Sequence, residues 1–243
     1  MKPASTPNEC LICGAPLEYT QNAEIMTCSI CGKQESNNVR CQAGHYVCDS
    51  CHMSGIDTII GLCMNSSSTN PIAILEEMMS QHFCHMHGPE HHIMVGAALI
   101  TAYSNSGGEV DMEHALREMV RRGKMVPGGV CGNWGACGAG LSTGMFMSIV
   151  SGSSPLAKKA WSLSNKMTAT ALLSISNYGG PRCCKRDSYL AILAAINFVE
   201  EHLHIAMQAP QQIQCTRSAC NAHCIKADCP FFNHISSIES PIS

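Results

Sequence analysis

Charge is scarce in this sequence. Lysine and arginine number 15 and aspartate and glutamate 18, which is 14% of 243 residues, for a formal net charge of -3. With few basic clusters, the chain offers no support for nucleic acid or an acidic membrane surface as a general partner. Aromatic side chains are fewer still, at 5%, while methionines number 15. A core filled by flexible thioethers rather than by stacked rings is therefore expected. The longest apolar runs, IMVGAALITAY and YLAILAAINFV, are too short to cross a bilayer and read as core helices. The opening MKPASTPNEC carries no apolar segment of the secretory type, which points to a cytoplasmic, reducing setting.

Cysteine is abundant, at 17 residues, and in a reducing compartment such residues serve as metal ligands or reactive thiols. Four close pairs stand near the amino terminus: Cys10-x2-Cys13, Cys28-x2-Cys31, Cys41-x3-His45 and Cys48-x2-Cys51. This spacing turns two ligands towards one tetrahedral ion, whose binding energy replaces a missing core. Four pairs suffice for two zinc ions. Consecutive pairs would make two successive sites, whereas alternate pairs would cross, with Cys10, Cys13, Cys41 and His45 sharing one ion. CQAGHYVCDSC resembles one half of crossed zinc fingers such as RING domains, although three residues separate Cys41 from His45. His52 reads as a solvated neighbour. Closed four-coordinate sites leave no position for substrate, so residues 1–64 are expected to form a structural or partner-binding module.

Residues 65–243 carry helical signals and no alternating strands, which predicts a mainly α fold: a helical domain with an amino-terminal zinc-ribbon-like or crossed zinc-finger module. Asn70-Pro71 supplies a cap and a first-turn proline; Pro89 opens the helix EHHIMVGAALITAY; Asp111 caps MEHALREMVRR, which Gly123 ends. Ser154-Pro155 starts a run reaching about Ser176, and Asp187-Ser188 starts YLAILAAINFVEEHL.

Chemistry is expected in this helical part. In GGVCGNWGACGAGLSTG, Cys131 and Cys137 lie where a loop enters a helix, a setting that favours thiolates, and Gly132, Gly135 and Gly138 let main chain approach a cofactor. The competing reading is tight helix packing. In GGPRCCKRDSY, Arg182, Lys185 and Arg186 would lower the pKa of Cys183 or Cys184. FCHMHGPEHHIM gathers Cys84, His85, His87, His91 and His92, with His87 or His91 as proton donor, acceptor or ligand. Cys215, Cys220, Cys224 and Cys229 form a possible zinc or iron–sulfur ligand set.

Taken together, CQAGHYVCDSCH, HGPEHH, GGVCGNWGACGAG, GGPRCC and CIKADCPFF resemble an uncharacterised domain family of bacteria and archaea. Members of that family occur alone or joined to S-adenosylmethionine-dependent methyltransferases, so a methyltransferase is an expected partner. The chain itself has no glycine-rich loop after a strand and no alternating β/α pattern, so it is not expected to methylate. The leading functional expectation is a redox or sulfur-transfer enzyme using Cys131, Cys137, Cys183 and Cys184 in one pocket, as iron–sulfur ligands or as thiolates, with His87 or His91 moving protons. The alternative is a zinc-stabilised adaptor for a methyltransferase. A redox partner, an unidentified small-molecule substrate and a homodimer complete the expected partners, with no membrane.

Overall fold

The computed structural model describes residues 10, 15–52, 55, 57–81 and 83–232. Cys13, one of the expected ligands, lies outside them. Near the amino terminus, β1 (Leu17–Thr27) and β2 (Gln34–Cys41) pair antiparallel, Leu17 opposite Cys41 and Thr27 opposite Gln34, with an irregularity between Tyr19 and Glu24. The hairpin has almost no apolar face, since only Met26 and Cys41 of its strands are buried. Its turn is tied by Cys28 N–H to Lys33 O at 2.8 Å and Gly32 N–H to Cys28 O at 2.9 Å. Gly32 takes φ 72°, and Gly44, between Cys41 and His45, takes φ 84°, both left-handed positions that glycine adopts without strain. The short helix α1 (Asp49–His52) follows.

The rest is mainly α, in chain order α2 (Asp57–Asn65), α3 (Pro71–Met79), α4 (His91–Asn105), α5 (Met112–Gly123), α6 (Val130–Asn133), α7 (Gly138–Val150), α8 (Lys158–Ser176) and α9 (Cys184–Leu203). Ile59 and Cys63 of α2 are fully buried in the helical core, although the sequence analysis assigned them to the amino-terminal module. Asn70 Oδ1 caps α3, accepting from Ile72 N–H at 2.9 Å and Ala73 N–H at 3.3 Å, and Asp111 caps α5 through His114 N–H at 3.1 Å. α4 is buried from His91 to Tyr103, as befits a helix that is apolar all round, and it packs on α2, α3, α5, α7 and α9. Methionines 78, 79, 119, 147 and 167 join Met94 of α4 in the same core.

Three helix starts differ from expectation. α8 begins at Lys158 with Ala157 as its cap, not at Ser154-Pro155. α9 begins at Cys184 with Cys183 as its cap, not at Asp187-Ser188. Asp187 instead sits in the first turn, where a carboxylate complements the positive end of the helix dipole, and its N–H closes on Cys183 O at 2.9 Å. α4 begins at His91, with Glu90 in the cap position, which leaves His87 in the preceding loop.

Glycines let α7 approach its neighbours. A Cβ at Gly140 would strike Leu172, and one at Gly144 would strike Thr168 and approach Ser164 O of α8. Gly144→Ala is therefore expected to overpack this contact and destabilise the chain by about 1–3 kcal/mol, measured as a lower urea midpoint at unchanged slope.

Candidate functional site

The amino-terminal pairs interleave. One ligand atom from each of Cys28, Cys31, Cys48 and Cys51 lies within 4.8 Å of the others, and so do those of Cys10, Cys41 and His45. Cys10 of the first pair thus meets the third pair, and the second pair meets the fourth, as in the crossed arrangement. Cys31 Sγ and Cys48 Sγ are 3.6 Å apart, close to the roughly 3.8 Å that separates two thiolates each about 2.3 Å from a tetrahedral zinc ion. Burial pushes the Cys28 thiol up, but main-chain N–H donors from Cys48, Cys31 and Ile30 outweigh it and bring its pKa down to about 6. Among the described residues the apolar cluster here comprises Met26, Cys28, Tyr46 and Cys48, with Cys51 packed against them, too little to hold a fold by itself. The tetra-cysteine group can hold a metal ion such as zinc.

The hairpin module rests on the helical part. Asp49 Oδ2 accepts from Gly128 N–H at 2.8 Å, and Arg182 donates to the Tyr19 hydroxyl. Where the two parts meet lies a cavity of about 1050 Å³, and Cys84, Cys131, Cys137 and Cys184 line it. Cys183, expected in the same pocket, is not among its lining residues; it caps α9. Gly132 and Gly135 border the cavity with open space at their Cβ positions. Gly138 does not offer main chain to a cofactor: it is pressed on the His92 ring, which a Cβ would hit.

Cys137, Cys183 and Cys184 are not the expected thiolates. Burial, then the Asp187 carboxylate, pushes Cys137 up to about 12 despite its place at the amino end of α7. Burial raises Cys183, Cys184 and Cys84 as well. The neighbouring cations are engaged elsewhere: Arg186 Nε binds Asp187 Oδ1 at 3.1 Å and its Nη2 binds Gly179 O at 2.8 Å, and Lys185 turns to Cys84. No three sulfurs of Cys131, Cys137, Cys183 and Cys184 gather within 4.8 Å of one another, so they do not form a single-ion site. Because Cys137 ionises near 9.0 when unperturbed and near 12 in the folded chain, the unfolded state loses its proton first. Stability is expected to be full below about pH 9 and to fall through pH 9–12, seen as a declining urea midpoint that Cys137→Ser makes shallower.

Behind the cavity lies a buried polar centre built on the loop before α4. Glu90 is 0% exposed. Its Oε1 accepts from His85 N–H at 2.9 Å, His52 Nδ1 stands 3.3 Å from Oε2, and His85 Nδ1 stands 3.7 Å from Oε1. Burial pushes the Glu90 carboxyl up, but the imidazoles of His52 and His85 outweigh it and hold the group well below the usual carboxylate range. Next to it, Lys185 Nζ donates to His85 O at 2.7 Å, Cys84 Sγ at 2.8 Å and His91 Nε2 at 2.9 Å. Three donors meet three acceptors. His91 Nδ1 faces Gly88 O at 3.0 Å, which assigns the proton to Nδ1 and leaves Nε2 to accept from Lys185. Burial and Lys185 drive the His91 pKa well below its ordinary value, so this ring is neutral and fully used, not a free base. His87, in the loop, has its Nε2 3.4 Å from Asn221 Oδ1 and a pKa lowered to about 4, by burial first and then by Arg182.

The model of a family of unknown function, DUF5714, matches residues 59–232, more than half of the chain. The chain belongs to this family. No curated protein and no solved structure matches it. The DUF5714 region contains His85, Glu90, Lys185 and the cavity-lining Cys84, Cys131, Cys137, Cys184 and Cys220, whereas His52 and the four amino-terminal pairs precede it.

The tail of the DUF5714 region departs from expectation. No three of Cys215, Cys220, Cys224 and Cys229 come within 4.8 Å of one another, so this set does not close on one ion. Cys215 N–H is bonded to Phe231 O at 2.7 Å, Cys215 Sγ accepts from Arg217 N–H at 3.4 Å, and Cys220 faces the cavity. Sequence reasoning missed Glu90 and set His52 aside. The available signal was the density of histidine around Glu90 in HGPEHH; nothing local links His52 to it.

Proposed function

We propose that the protein is a metal–sulfur enzyme of the redox or sulfur-transfer class. Its amino-terminal zinc module would be structural, and its working thiols would be Cys131, Cys137 and Cys184. The observation that carries this reading is the convergence on one cavity of cysteines distant in the chain, Cys84, Cys131, Cys137 and Cys184. Cys137 Sγ donates to Asp187 Oδ2 at 3.8 Å, and burial raises the Asp187 carboxyl, which makes it a stronger base than an exposed carboxylate. On approach of a small disulfide, Cys137 would give its proton to Asp187 and attack one sulfur. The substrate S–S bond breaks, a mixed disulfide forms, and the departing thiolate collects the proton.

Reduction of a chromogenic aryl disulfide by the prereduced full chain tests this. Cys137→Ser should abolish single-turnover release of the aryl thiolate from the cavity thiols, while Cys183→Ser, outside the cavity, should leave it intact. Equal release from wild type and from a Cys131, Cys137 and Cys184 triple serine variant overturns the reading.

A second reading, an adaptor for a partner such as a methyltransferase, is supported by the apolar tip of the module, where Ile25 and Ile30 are 72% and 57% exposed. It expects Ile25→Glu with Ile30→Glu to abolish partner capture and to spare the cavity thiols.

A further inference from the structure

We propose that His52, His85 and Glu90 form an additional metal site, open on one side, that takes a divalent first-row transition ion and presents it to the cavity. The inference stands on these three residues and does not depend on the thiol chemistry above.

Geometry is the first ground. Two ligands each about 2.1 Å from a tetrahedral ion lie about 3.4 Å apart. His52 Nδ1 and Glu90 Oε2 are 3.3 Å apart and His85 Nδ1 and Glu90 Oε1 are 3.7 Å apart, and one ligand atom from each residue falls within 4.8 Å of the other two. The imidazoles themselves meet edge to face, with centroids 4.2 Å apart.

Polar satisfaction is the second ground. Glu90 Oε2, His52 Nδ1 and His85 Nδ1 are all buried and make no hydrogen bond of normal geometry, the imidazole nitrogens only facing the carboxylate at 3.3 and 3.7 Å, although Glu90 Oε1 is held by the His85 N–H. Leaving such atoms unpaired away from water is costly. One cation among them satisfies all three at once. Gly88 preserves this convergence, because a Cβ there would run into the Glu90 carboxylate and approach the His52 ring within 2.6 Å.

Ligand chemistry sets the type of site. Two imidazoles and one carboxylate are the donors of catalytic zinc and of non-haem iron, and three protein ligands leave coordination positions for water or substrate. His52 and His85 border the cavity while Glu90 stands behind them, so the open side faces the space where a small molecule would bind. The adjoining group of Cys84, Glu90 and His91 also has ligand spacing, but the Lys185 ammonium already occupies it. By binding His85 O, Lys185 also anchors the loop that carries one of the ligands.

His52 follows directly on Cys51, a member of the tetra-cysteine group. The thiolate site therefore positions a ligand of the open site, and the module completes a centre whose other two ligands belong to the helical part. This gives the amino-terminal module a role beyond its own folding.

Cobalt tests the proposal. The full chain, stripped and then titrated anaerobically with Co²⁺, should show thiolate-to-metal charge-transfer bands from the cysteine groups. It should also show one further equivalent whose ligand-field bands come without thiolate charge transfer. Glu90→Gln and His52→Ala should each lose that equivalent and keep the thiolate bands, with unchanged far-ultraviolet circular dichroism. Cys137→Ser should lose nothing. The proposal is overturned if wild type saturates with the thiolate bands alone, or if either variant, folded by circular dichroism, takes up as much Co²⁺ as wild type. Each variant decides the matter alone should the other not fold.

Discussion

Replacing Cys48 with serine is expected to release the ion of the tetra-cysteine group and unfold the hairpin module while the helical core stays folded. Cys48 is fully buried, its Sγ stands 3.6 Å from that of Cys31, and its N–H donates to Cys28 Sγ at 3.3 Å. Structural zinc contributes about 10–16 kcal/mol of apparent binding free energy to small domains. The module's four-residue apolar cluster has nothing comparable to offer in its place. The helical part, with α4 at its centre, keeps an apolar core of its own. Limited proteolysis should then cut within residues 15–52, far-ultraviolet circular dichroism should change little, and metal analysis should show the ions held by residues of the module lost. Unchanged metal content together with an uncut module would refute this assignment.

The second large effect is expected at Lys185. It is 1% exposed, and its three donors meet Cys84 Sγ, His85 O and His91 Nε2. Lys185→Met keeps much of the side-chain length but strands these acceptors. Removing one partner from a buried charged network costs about 3–5 kcal/mol, so the urea midpoint should fall sharply. Lys185→Arg should not rescue it, because a planar fork cannot reproduce the three-way arrangement of an ammonium. A shift of under about 0.5 kcal/mol, the size of an ordinary surface substitution, would mean that the ammonium contributes nothing there.

Much of the helical part is legible in the sequence because its determinants are local. Asn70 before Pro71 and Asp111 before Met112 announce helix starts, and the caps form where those residues stand. The amino-terminal strands are not legible, since LEYTQNAEIMT buries only Met26 and shows no alternation; a hairpin tied by its ligands needs none. The four ligand pairs are visible as spacing, but spacing leaves two pairings open, and the choice between them depends on where a hairpin returns the chain. The thiols of Cys137 and Cys184 illustrate a different limit. Sequence places a helix amino end and three basic residues beside them, yet burial dominates and raises both. Degree of burial is a property of the packed molecule, as is the meeting of His52 with Glu90 across 38 residues of chain.

The metal-edge X-ray absorption spectrum of the purified, folded protein tests the central claim most directly. A metal-held module predicts zinc with sulfur as the main shell at about 2.3 Å and a lesser nitrogen or oxygen shell at about 2.0–2.1 Å. A chain that folds with its module protected and carries no metal, or metal bound by oxygen alone, would contradict it.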